Sequence, residues 1–214
     1  MCRWRLLRWQ RSSKSKGSIS RGTIYAINVV SDELGGIRRY KLLLTLTLES
    51  ELRMNIFFLD TDPKTCAEYH CDKHVVKMIL EYAQLLSTSQ REIYGDKCSD
   101  YLYKSTHKNH PSAIWTRANQ RHYHWLYKLF YYLCGEYEKR YNKTHLTDAK
   151  LKLRLKYTPD KMKIDFFSPP PQCMPDEHKS DDTVQAYRNY YNVDKAYMCK
   201  WKNTSKPEWF NGGS

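Results

Sequence analysis

"HCDKHVVKMILEYAQLL", His70–Leu86, decides the fold. Advanced by about 100° per residue, Val75, Met78, Ile79, Tyr82, Leu85 and Leu86 fall on one continuous face, the pattern of an amphipathic helix packed on a core. The opposite side collects His70, His74, Lys77, Glu81 and Gln84 in a narrow polar band. Two histidines four apart, then a lysine and a glutamate four apart, can present donors, a cation and a carboxylate to one ligand. The same residues also read as a solvated face carrying an (i, i+4) ion pair. Cys66, His70 and His74 stand on successive turns, but no further ligand at fixed spacing completes a metal set. The expectation is no metal and no cofactor.

Outward from this helix the reading stays helical from Met54 on. "MNIFFLD" is a short apolar opening. Asp62 and Pro63 start a helix expected to run from Pro63 to about Gln90, with Thr65 and Glu68 spaced as a capping box. A second helix starts at "NHPSAIW", with Pro111 in its first turn, and runs to about Tyr141. Its apolar seam comprises Trp115, Ala118, His122, Trp125, Leu126, Leu129, Leu133 and Tyr137, and His122 reads as a satisfied core histidine. A short helix is expected over Thr147–Tyr157. "FFSPPPQCMPDEH" must be extended, because three consecutive prolines fix its path. A last helix is expected from Asp181 to Trp201. The fold class is all-α: a single compact helical domain over 54–210 with a Pro-rich connection, then a 211–214 tail.

Residues 1–53 differ from this domain. They are rich in Arg and Ser, and "TIYAINVV" and "KLLLTLTLESEL" read as strands without a partner. A transit-like segment, a basic tail and an upstream extension of the reading frame compete, and the coherent pattern from Met54 favours the last. The net charge of +13 divides into +7 over residues 1–53 and +6 over 54–214. An anionic partner, duplex DNA first, is expected, although the main domain is only moderately basic. Seven cysteines without a C-x-x-C pair read as free thiols of a cytoplasmic protein. The longest apolar run is too short to span a bilayer, so no membrane partner is expected.

Two further segments carry candidates. In "THKNHPSAIWTR", Asn109 and His110 open a helix whose first N–H groups suit a phosphate, with Arg117 adding charge. In "AYRNYYNVDKAYMCKW", Arg188 and Tyr190 are candidates for backbone or stacking contacts, alongside an ordinary core stripe of Val184, Tyr187, Tyr191 and Met198.

The blocks "MNIFFLD", "CDKHVVKM", "NHPSAIW" and "AYRNYYN" resemble those of a bacteriophage protein family. More distantly the layout is similar to the pyrimidine-dimer DNA glycosylases of the endonuclease V type. Asp72, His74 and Glu81 match an Asp-x-His followed seven residues later by the catalytic glutamate, and Tyr187–Tyr191 resembles that family's aromatic-basic cluster. The resemblance implies base excision. An amine attacks the sugar C1′, Glu81 stabilises the developing cation, and β-elimination follows. His74 or Lys77 would orient Glu81 or contact phosphate, and His70 and Lys73 join the DNA-binding set. That family's amine is an amino terminus, whereas here 53 residues precede Met54. Lys73 or Lys77 would therefore have to substitute, or Glu81 would act with water alone. Two other functions stay open: a non-catalytic DNA-binding accessory protein, and an enzyme acting on free nucleotides or modified bases.

Overall fold

The extended segment Met54–Leu59 runs through the middle of the core, with each of its residues buried. Six helices surround it in the computed structural model, which describes residues 54–97 and 100–212. They are α1 (Pro63–Tyr69), α2 (Asp72–Tyr94), α3 (Pro111–Ala118), α4 (Gln120–Tyr141), α5 (Leu146–Leu155) and α6 (Thr183–Val193). Among the described residues there is no strand, so the domain is all-α. The two expected strands lie outside the described residues, as do Cys2 and Cys98.

The predicted core face of α2 is entirely inside: Val75, Met78, Ile79, Tyr82, Leu85 and Leu86 are each 0% exposed. It packs on α4, which also holds α1, and this pairing is the spine of the domain. From Lys163 to Pro175 the chain is irregular, as its prolines require.

Two long helices predicted as continuous are each broken once. The first breaks at His70–Cys71, where both residues are extended. The break turns the His70 and Glu68 carbonyls toward Arg140 of α4, which donates to them at 2.7 and 3.0 Å. The second breaks at Asn119, extended at φ −157°, whose side-chain oxygen accepts the His122 N–H and so caps α4. Neither break is punctuated by Gly or Pro, so local propensity does not mark it. Asp62, not a Thr65–Glu68 box, caps α1 by accepting the Thr65 N–H at 2.8 Å. The last helix is shorter than expected. Asp182 caps it, Val193 ends it, and a 3₁₀ turn at Ala196–Met198 follows.

The C-terminal segment closes the fold by specific bonds. The Lys202 N–H donates to both Asp72 oxygens at 3.0 Å, and the Trp201 indole donates to the Tyr69 carbonyl. Phe210 is buried beside Trp201 and Trp209. No helix of the described residues is long and apolar enough to cross a membrane.

Candidate active site

Glu81 stands in the middle of α2, one turn beyond Lys77. Its Oε1 accepts from Lys77 Nζ at 3.0 Å, while its Oε2 is buried with no hydrogen-bond partner among the described residues. Burial pushes the carboxyl above the ordinary glutamate range; Lys77 and the backbone N–H of Asn55, which faces the carboxylate without bonding Oε2, pull the other way. The result is a carboxylate with one free oxygen, more basic than a solvated one and held in a fixed place.

Asn55 positions this end of the core. Its side-chain N–H donates to the Cys173 carbonyl at 2.7 Å, and its oxygen accepts from the Tyr187 hydroxyl at 2.6 Å. The Ser112 hydroxyl reaches the Met54 carbonyl at 3.4 Å, bringing the start of α3 to the same place. Asn55, Ser112 and Cys173 were not among the sequence candidates, and Tyr187 was read as core and as one end of the aromatic-basic stretch. Only Asn55 carries a signal: it is the sole polar residue of an otherwise apolar run, "MNIFFL".

The other residues of the predicted catalytic set are held elsewhere. Along α2, Asp72 lies about 13 Å and His74 about 10 Å from Glu81 at 1.5 Å per residue. Asp72 is fastened to Arg140 at 3.1 Å and to the Lys202 N–H. The His74 ring stacks on Phe57 with centroids 4.1 Å apart, and its Nδ1 pairs with the Tyr191 hydroxyl. Its other neighbour is Cys71, whose thiol is pulled below the ordinary range first by a hydrogen bond from Cys199 and then by His74. The linear spacing Asp72–His74–Glu81 thus does not become one cluster.

His70 is fully buried. Its Nδ1–H donates to the Cys66 carbonyl at 2.7 Å and its Nε2 accepts from the Tyr82 hydroxyl at 2.8 Å. That hydroxyl in turn accepts the Phe57 N–H. Burial drives the His70 pKa down to about 3, so the ring is a neutral bridge in the core and not a surface a nucleic acid could touch. Lys73 is exposed, with Nζ 6.0 Å from the Tyr197 ring centre.

The start of α3 does gather its predicted residues. His110 caps the helix by accepting the Ser112 N–H, Asn109 is exposed beside it, and Arg117 reaches back to donate to the Lys108 carbonyl at 2.6 Å. Arg188, by contrast, is a clamp. It donates to the Leu59 carbonyl and pairs with Asp60 at 3.2 Å, its guanidinium 5.3 Å from the Trp209 ring centre. Tyr190 is half-buried, stacked near Phe57 and covered by Lys195. His122, as expected, is a satisfied core histidine stacked on Trp115. Among the described residues no group of three His, Cys, Asp or Glu side chains is placed to hold a metal ion.

Neither the curated proteins nor the solved structures give a match. One family model does match, that of the pyrimidine dimer DNA glycosylase, over residues 54–149. The matched stretch contains Asn55, the whole of α2 with Lys77 and Glu81, and the start of α3, whereas Cys173 and Tyr187, which hold Asn55, lie beyond it.

Proposed function

We propose that this chain is a DNA glycosylase that excises damaged or modified pyrimidines, with Glu81 as its central acid. The observation that supports it most is the buried Glu81 carboxylate with one unpartnered oxygen, lying inside the stretch similar to a pyrimidine-dimer glycosylase. Cleavage of an N-glycosidic bond leaves positive charge on the sugar as the base departs with the bonding electron pair. An oriented carboxylate in a water-poor site stabilises that charge without reorganising. The target nucleotide or its partner must leave the stack, which costs least at a lesion.

Two routes follow from the same carboxylate. With water as nucleophile, Glu81 takes a proton as the C1′–O bond forms. With an amine as nucleophile, nitrogen bonds C1′, the sugar ring opens to an iminium, and loss of a proton from C2′ expels the 3′ phosphate. Lys77 Nζ is the amine already against Glu81, at 3.0 Å. The Asn55 nitrogen faces the same carboxylate as an amide, and it would be an α-amine only in a chain that began there.

The test is excision and borohydride trapping on duplexes carrying a pyrimidine dimer or an abasic site. Substrate is offered to the full chain, to a chain beginning at Asn55, and to Glu81→Gln and Lys77→Ala. Base release should fall at least about 100-fold in Glu81→Gln. An adduct that survives Lys77→Ala and appears only with the Asn55 start assigns the amine to the terminus. Release without any adduct assigns the water route. Salt-sensitive duplex binding with neither product would favour the accessory-protein reading and end this one.

A further inference from the structure

A cavity of about 470 Å³ opens where α4 begins, lined by Arg121, His124 and Lys128 and floored by Trp125, Phe167 and Ile164. Arg121, His124 and Lys128 are spaced three and four residues apart, so they share one face of α4. All three are exposed, and none of their side chains makes a hydrogen bond or ion pair with another described residue. This contrasts with Lys77, Arg140, Lys152 and Arg188, each paired with a carboxylate. No acid lines the cavity, and Asp165, next to Ile164 in the chain, is already held by Lys163 at 2.7 Å.

The placement of charge runs against helix stability. α4 carries cations through its first turns and no acid before Glu136, whereas the helix dipole favours anions at this end. A solvated face would be expected to interleave acids at i+4, and this one does not. Two uncompensated cations, Arg121 and Lys128, therefore stand over an apolar floor in a cavity of small-ligand size, beside His124, whose imidazole burial and Lys128 hold below its ordinary range. The floor is rigid: the Trp125 indole donates to the Thr61 carbonyl at 2.8 Å and its ring packs on Phe58 and Phe167.

We propose that this cavity binds a nucleoside monophosphate, either free or as one unit of an unpaired strand. The phosphate sits between Arg121 and Lys128, and the base lies against Phe167 and Ile164, since aromatic and apolar faces accept any base without reading its edge. The site is separate from Glu81. Glu81, Lys77 and Asn55 are not among the residues that line it.

The experiment uses the full chain and two probes, thymidine monophosphate followed by the tryptophan emission and a fluorescein-labelled eight-residue oligothymidylate followed by anisotropy. The variants are R121E/K128E, F167A and E81Q, with K143E/K200E as an equal charge reversal elsewhere. Binding of at least one probe should weaken ten-fold or more in R121E/K128E and several-fold in F167A. It should stay within two-fold of the parent in K143E/K200E and E81Q. Both probes binding identifies a free-nucleotide site, and the oligonucleotide alone identifies a strand site. Equal weakening in the control reversal, or no binding of either probe, overturns the proposal. Because E81Q reports on excision and R121E/K128E on this cavity, failure of one reading is distinguishable from failure of the other.

Discussion

Glu81 on α2 and His70 at the end of α1 are both buried, and burial moves their proton affinities in opposite directions with opposite consequences. The folded-state pKa of Glu81 lies above its ordinary value of 4.5 because the carboxylate is desolvated. Ionised Glu81 therefore costs stability at neutral pH, and the cost is relieved as pH falls through the raised value. Glu81→Gln should melt higher than the parent at pH 7.5, with the gain disappearing near pH 4.5, by scanning calorimetry at both. A lower melting temperature at pH 7.5 would mean that the Lys77 pair outweighs desolvation. His70 works the other way. It is neutral in the fold down to about pH 3, while the unfolded chain binds its proton near 6.5. Its contribution is full above 6.5 and is lost as pH falls below that. About 2 kcal/mol should go between pH 7 and pH 5. His70→Gln should flatten this part of the profile, measured by urea titration at each pH, and an unchanged slope would refute the assignment.

At the scale of elements, the junction of α1, α2 and α4 depends on Arg140, which is 1% exposed. Its guanidinium donates to Glu136, to Asp72 and to the carbonyls of Glu68 and His70. The break at His70–Cys71 exists in this form because those carbonyls face a cation and not the next helical turn. Arg140→Met should destabilise by about 3–5 kcal/mol, since it strands a buried carboxylate and two carbonyls. Arg140→Lys should recover little of that, because one ammonium cannot reach four acceptors arranged around a planar fork. Equilibrium urea unfolding reads both. Full rescue by lysine would show that charge alone, without the geometry, holds the junction. The same scale explains Asn119, where loss of the cap in Asn119→Ala should cost about 1 kcal/mol.

At the scale of the whole molecule, the chain closes by returning its C-terminal segment to the start of α2. Trp201, Lys202, Trp209 and Phe210 meet Tyr69, Asp72, Asn192 and one another. A chain ended after Met198 should lose more than about 5 kcal/mol and its cooperative thermal transition, followed by circular dichroism, because it uncovers several aromatic side chains and the Asp72 carboxylate together. A cooperative melt close to that of the parent would show that the helices alone suffice. What the sequence determined by itself was periodic: the buried face of α2, the seam of α4, the cap at Asp62, the helix start at Pro111 and the extended proline run all follow from local spacing and backbone chemistry. Glu81 was singled out on the same helix by its position opposite that face. Only the tertiary structure decided which polar residues of that band the core absorbs and which keep an unpartnered atom. His70 and His74 share the band with Glu81, yet Phe57, Tyr82 and Tyr191, distant in sequence, absorb both rings, whereas Asn55 arrives beside Glu81 and leaves one oxygen free. Burial and partners are set by contacts across the chain, which no helical period encodes, and this is why the spacing delimits the band but not the surroundings of its members.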